Sequence, residues 1–104
     1  MVIEWLKVNV SPELRDKFIE IDAEIWTPML ASYPGFLSKE VWINPEVSTE
    51  LVLIIRWESR ELWGAIPGER LAATEKEFNR AFGGEYQFLE EKSYQVRKFP
   101  MTSQ

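Results

Sequence analysis

Two copies of one short pattern, Ser-x-Glu-Leu at Ser11-Pro12-Glu13-Leu14 and at Ser59-Arg60-Glu61-Leu62, divide the chain into halves of similar design. Each copy follows a segment with strand alternation and precedes a helical stretch that holds a Trp and then a Pro. A serine hydroxyl accepts from the free N–H groups of a first helical turn, and an acid there meets the positive helix end. A proline at the first position loses no donor. Both copies therefore predict helix starts. With 104 residues the chain has room for one hydrophobic core, so the halves belong to one domain.

Val2 to Val10 reads as a strand with Val2, Leu6, Val8 and Val10 on one side and Ile3, Trp5, Lys7 and Asn9 on the other; Glu4 falls on the more apolar side. The first helix carries Leu14, Phe18, Ile21 and Ile25 in one stripe and Ile19, Ala23, Trp26, Leu30 and Tyr33 in the next. Pro28 cannot bond the carbonyl of Glu24, which predicts a kink or an early end before Tyr33-Pro34-Gly35 closes the segment. Phe36 to Ile43 and Glu50 to Trp57 read as an antiparallel hairpin across Asn44-Pro45. After Ser59, Trp63 and Ile66 precede a break at Pro67-Gly68, and a longer helix runs from Glu69 to Phe82 with Leu71, Glu75, Phe78 and Phe82 near one face. Gly83-Gly84 ends it, and Tyr86 to Arg97 is the last strand.

The order β-α-β-β-α-β is the ferredoxin-like α+β arrangement, a four-stranded antiparallel sheet with helices on one face. The domain is expected over residues 1–98, followed by a tail, 99–104, that either reaches a second subunit or frays. Helices on one face leave the other uncovered. That face must be polar or find a partner. Phe36, Trp42, Val52 and Ile54 are assigned to it beside Ser38, Glu40 and Arg56, a mixed aromatic surface that fits a homodimer with its two sheets closed on each other. If residue 44 pairs with 50, Glu40 and Arg56 share that face and lie diagonally, roughly 7–8 Å apart at their backbones; a slip by one separates them. The preferred reading is a structural ion pair at the interface, with substrate binding as the lesser one. Lys92 and Tyr94 can join either arrangement.

Twelve basic against seventeen acidic residues give a net charge of -5 with no basic run, which disfavours nucleic acids and anionic membrane surfaces. The chain has no His and no Cys. Imidazole bases, thiol nucleophiles and the common zinc ligands are therefore absent, and no spaced acidic motif offers a calcium loop, so neither cofactor nor metal is expected. The longest aliphatic run, Leu51 to Ile55, is far short of the roughly 20 residues a membrane helix needs, and no signal-peptide pattern opens the chain. A cytoplasmic protein is the expectation. Five Trp, six Phe and three Tyr exceed what a small core holds, which points to a pocket or an interface.

Tyr33-Pro34-Gly35-Phe36-Leu37-Ser38-Lys39-Glu40-Val41 and Ile55-Arg56-Trp57-Glu58-Ser59-Arg60-Glu61 resemble the dimeric α+β barrel superfamily, specifically its antibiotic biosynthesis monooxygenase type, with likeness from Val2 to about Lys98. The stretches Ala23-Glu24-Ile25-Trp26-Thr27-Pro28 and Tyr94-Gln95-Val96-Arg97-Lys98-Phe99 are similar to those of a group of small cyanobacterial proteins of this fold, a likeness that carries no function. Haem-degrading members work with an Asn on the first strand, a Trp ending the third and a His on the second helix. Here only the Trp is kept, as Trp57; the Asn position falls at or near Leu6, and no His exists. The resemblance therefore argues against haem degradation. Quinone-forming members use Trp, Asn, Tyr and Arg on electron-rich phenols without metal or flavin, which asks less of this chain.

A pocket, if one opens, is expected between Leu6, Trp26, Tyr33, Trp57 and Trp63, with Tyr94 as a further candidate. For each Trp, core packing is the bland alternative and the favoured one. Two functions stay open: a non-catalytic, dimeric small-molecule-binding or interaction domain, placed ahead because the missing Asn and His remove familiar chemistry, and a cofactor-independent monooxygenase-like enzyme acting on a small aromatic compound.

Overall fold

The structure, a computed structural model, describes residues 1–98; the expected tail lies outside them. Its elements are β1 (Val2–Val10), a 3₁₀ turn (Pro12–Leu14), α1 (Arg15–Ala31), β2 (Phe36–Ile43), β3 (Glu50–Trp57), α2 (Arg60–Gly64), α3 (Gly68–Phe82) and β4 (Tyr86–Gln95). The antiparallel sheet has the order β2-β3-β1-β4. This is the ferredoxin-like α+β fold. The bounds of β1, β2 and β3 coincide with the sequence reading, which took them from strand alternation and the turn residues that flank it. The last strand stops at Gln95, two residues earlier than read, although the Val96 amide still donates to the Met1 carbonyl at 2.9 Å.

The two Ser-x-Glu-Leu copies behave differently. The Ser59 hydroxyl accepts from the Leu62 amide at 3.1 Å and starts α2. At Ser11 the corresponding amide, that of Leu14, donates instead to the Ser11 main-chain carbonyl at 3.0 Å, closing a 3₁₀ turn, and the hydroxyl caps nothing. The expected cap at Ser11 is thus corrected, because the proline-led turn has already used the donor. Ser59→Ala is accordingly expected to cost about 1 kcal/mol, whereas Ser11→Ala should stay within about 0.5 kcal/mol; urea unfolding of both variants checks the pair. Pro28 does not end the first helix either, since α1 continues through Met29, Leu30 and Ala31.

Gly35 joins α1 to β2 with φ +93, and a Cβ there would lie 2.6 Å from the Leu62 Cβ. Only glycine allows both the left-handed turn and that close approach. This seats α2 against the start of β2 and the end of β3, where Trp57 lies. Gly83 ends α3 in the left-handed conformation, its amide bonded to the Asn79 carbonyl.

The core lies between helices and sheet in two adjoining clusters. Phe18, Phe78, Phe82, Val8, Val10, Leu51 and Leu53 form one, and Met29, Leu30, Ile55, Trp57 and Ile66 form the other. Phe18 meets Phe78, Phe82 and Tyr86 edge-on at centroid distances of 5.1, 5.5 and 5.3 Å, an arrangement that suits the ring quadrupoles.

Residue 44 is in register with 50, as the diagonal pairing of Glu40 and Arg56 requires: Glu40 faces Ile54 and Ser38 faces Arg56. Arg56 Nη1 lies 2.6 Å from Glu40 Oε1, and the Trp42 indole donates to Glu40 Oε2 at 3.0 Å. These bonds, first that of Trp42 and then that of Arg56, hold the exposed Glu40 carboxyl below its ordinary range. Phe36 is a correction. The pairing slips between Phe36 and Ser38, leaving Leu37 as an extra residue. That bulge turns Phe36 to the helix side, where its ring stands edge-on to Trp57 at 5.7 Å. The uncovered face therefore carries Trp5, Trp42, Val52 and Ile54 without Phe36.

Candidate functional site

A cavity of about 640 Å³ opens between the sheet and the three helices. Its apolar walls include Leu6, Leu53 and Ile55 from the sheet, Trp26 and Leu30 from α1, and Trp63 and Ile66 from α2 and the turn after it. The Arg60 guanidinium stacks on the Trp63 ring, 4.0 Å from its centroid, a geometry in which the cation holds the indole in place. Leu71, Ala72, Glu75 and Phe78 complete the wall from α3. The space exists because the helix of the second half is broken. Ala65, Ile66 and Pro67 separate the short α2 from α3, so no continuous helix lies across this part of the sheet.

Of the six residues expected at a pocket, Leu6, Trp26 and Trp63 line this cavity. Trp57 is fully buried behind the wall, and Tyr33 packs in the same cluster without reaching the cavity. Tyr94 pairs with Ile3 on the uncovered face, on the far side of the sheet, because the bulge at Leu89 sets the later residues of β4 in that register.

The charged side chains of the cavity wall were not among the expected pocket residues, and Glu4, Asp22 and Lys39 are the most enclosed of them. Glu4 has the inward parity of β1, between Ile55 on β3 and Ser93 on β4. One of its oxygens accepts from the Trp57 indole at 3.3 Å. Burial pushes its carboxyl above the ordinary value, against the lowering pull first of the Trp57 hydrogen bond and then of Lys39. Asp22 sits on the inner face of α1, and Lys39 reaches it from β2 with Nζ at 2.8 and 2.7 Å from the two carboxylate oxygens. Burial also raises the Asp22 carboxyl, the attraction of Lys39 opposing it. A signal for Glu4 was visible in the strand parity. Asp22 and Lys39 each interrupt an apolar face, but only the fold brings them together.

A buried carboxylate with one hydrogen bond is a cost to the fold. The sign follows from the raised pKa. Glu4's contribution to stability is intact below 4.5 and is lost as pH rises through its higher value in the folded chain. Glu4→Gln is therefore expected to stabilise the protein at neutral pH by about 0.5–2 kcal/mol, the usual gain from one favourable change. In acid the gain should vanish; thermal unfolding across pH measures both.

Haem does not fit this cavity. The chain has no His or Cys, Lys39 is bound to Asp22, Lys92 lies 3.1 Å from Glu90, and the Tyr86 hydroxyl donates to Asn79. Among the described residues the wall thus leaves no free axial ligand for an iron.

Fold and cavity together define a ferredoxin-like α+β domain whose helices enclose a small-molecule-sized space against one sheet face. The model of the antibiotic biosynthesis monooxygenase family matches residues 1–65, more than half of the chain, and the chain belongs to that family. No curated protein matches it. Among solved structures, a monooxygenase from the gene ActVA-Orf6 of Streptomyces coelicolor, in complex with nanaomycin D, is 18% identical with a TM-score of 0.75, covering 98% of this chain and 92% of that one. HapK from Hahella chejuensis is 15% identical with a TM-score of 0.73, covering 99% and 100%. SnoaB, a cofactor-independent oxygenase from Streptomyces nogalater, is 15% identical with a TM-score of 0.68, covering 94% of each chain. At these identities the likeness concerns the fold alone. No helix among the described residues is long and apolar enough to cross a membrane.

Proposed function

We propose that the chain binds a small aromatic compound in the cavity between helices and sheet. The observation that carries this reading is the cavity itself, about 640 Å³ with Trp26 and Trp63 in its wall, within the range of roughly 300–1,000 Å³ common for ligand sites. Calorimetric titration with 2-naphthol tests it. One site per chain is expected, lost on Ala72→Trp, which places an indole in the space. Absence of heat at any accessible concentration would overturn the reading.

A second reading, cofactor-independent oxygenation of the bound aromatic, is favoured by the buried carboxylate of Glu4. An electron-rich aromatic that has lost its hydroxyl proton can itself reduce dioxygen, without metal or flavin. SnoaB, of like fold, is such a cofactor-independent oxygenase. Oxygen uptake with a naphthalenediol, above its spontaneous rate and suppressed in Glu4→Gln, is expected; equal rates with and without protein would reject catalysis and leave a binding domain.

The uncovered sheet face supports a homodimer. It exposes Trp42 and Tyr94 by about half of their surface, places Lys92 4.9 Å from the Trp5 ring, and carries the Glu40 and Arg56 pair. Analytical ultracentrifugation at low concentration should find twice the chain mass; a stable monomer would refute the arrangement.

A further inference from the structure

We infer that Glu4 is the proton acceptor of the cavity, taking the hydroxyl proton of a bound aromatic alcohol on the carboxylate oxygen that Trp57 does not hold. The inference rests on the proposed binding of an aromatic compound and deepens it by naming the group that compound must carry. Glu4 lines the cavity, and among the described residues the Trp57 indole is the one donor to its carboxylate, through Oε1 at 3.3 Å. The inward-facing neighbours of Glu4 on β1 and β3 include Leu6, Leu53 and Ile55, a setting in which an apolar side chain would serve stability better. A charge kept in such a place at a cost to the fold is the mark of a working group.

Charged groups surround Glu4 from several elements, although its partner on β3 is the apolar Ile55. Lys39 acts on it from β2, Glu91 from β4 and Arg60 from α2, with Asp22 on α1, Glu75 on α3 and Lys92 on β4 in the same cavity wall. Lys39 and Arg60 favour the carboxylate and Glu91 opposes it, but Lys39 is already paired to Asp22 at 2.7 Å. Burial prevails over all of them and makes Glu4 a stronger base than a surface carboxylate, closer in acidity to an aromatic hydroxyl.

In the transfer the ligand O–H bond breaks, a Glu4 O–H bond forms, and the electron pair stays on the aromatic oxygen. The charge of the pair is unchanged, and nothing is oxidised. Trp57, too buried to touch the ligand, is a positioning residue: its indole fixes one carboxylate oxygen and leaves the other free.

The test compares 2-naphthol with 2-methoxynaphthalene, alike in shape but without the proton, by calorimetry on the full chain. The wild type is expected to bind the naphthol about 10–100-fold more tightly, the effect of one hydrogen bond to a charged group. That preference should fade as pH falls through the raised Glu4 pKa, because the protonated acid no longer takes a proton. Glu4→Gln should reduce the preference and remove its pH dependence, and Glu4→Leu should abolish it. Trp57→Phe should move the pH limb upward, since the lost hydrogen bond lowers the Glu4 pKa in the wild type; a merely structural role would leave the limb in place. If Glu4→Leu does not fold, the Gln variant carries the comparison. An unchanged preference in Glu4→Gln at every pH, or equal binding of both naphthalenes by the wild type, would overturn the assignment while leaving the cavity reading intact. Binding of neither would overturn both.

Discussion

Asp22→Ala is expected to destabilise the protein by about 3–5 kcal/mol, because it leaves the Lys39 ammonium buried without a counter-charge. Both side chains are almost wholly out of water, at 3% and 4% exposure, and the ammonium bonds both carboxylate oxygens. The reverse experiment distinguishes the cost of an orphaned charge from the worth of the pair. Asp22→Leu combined with Lys39→Met replaces both charges by apolar groups of similar length and should be neutral or more stable by about 1–4 kcal/mol. Urea unfolding measures each. The exposed Glu40 and Arg56 pair, despite its 2.6 Å contact, should contribute no more than about 1 kcal/mol on its own, since solvent screens it.

Phe18→Ala is expected to cost a further about 3–5 kcal/mol, the range for removing a fully enclosed aromatic ring. Its ring touches Phe78, Phe82 and Tyr86, each of which presents an edge or face to it, and these neighbours come from α3 and β4. The substitution removes a ring through which α1 packs on α3 and β4. It also widens the cavity, whose wall includes Phe18 and Phe78. The same truncation at the half-exposed Trp42 should change monomer stability far less, as its ring covers the uncovered face and no core. Denaturant midpoints for the two variants, measured at one concentration, compare them.

Much of the fold was legible because its signals are local. Alternation bounded by Ser11, Pro34-Gly35, Asn44-Pro45 and Ser59 delimits the first three strands, and Gly83 marks the end of α3. The turn left the hairpin register open between two alternatives, and the one found is that which brings Arg56 beside Glu40. Where the reading missed, the cause was a backbone event or a meeting of distant residues. The slip at Leu37 has no residue signature, so Phe36 was set on the wrong face. Ser11 and Ser59 look alike, yet one amide was taken by a main-chain carbonyl. Pro28 was expected to kink α1 or end it early, and α1 runs on to Ala31. In the cavity, Trp26 and Trp63 were expected from their places before the two proline breaks, and Leu6 from the family resemblance. The Asp22 and Lys39 pair could not be anticipated, because each residue in isolation reads as one polar break in an apolar stripe. Trp57 was read as a ligand-facing or core residue; its contact with Glu4 depends on β1 and β3 lying side by side, a long-range fact.

Binding of an aromatic molecule in the cavity is the property on which the proposed function depends. The most direct measurement follows the indole N–H resonances of the Trp side chains by nuclear magnetic resonance while 2-naphthol is added. Trp26 and Trp63, in the cavity wall, and Trp57, bonded to Glu4, should shift together and saturate with one ligand per chain. Trp42, exposed on the opposite sheet face, should remain still. Shifts confined to Trp42 and Trp5, or none that saturate, would contradict the account.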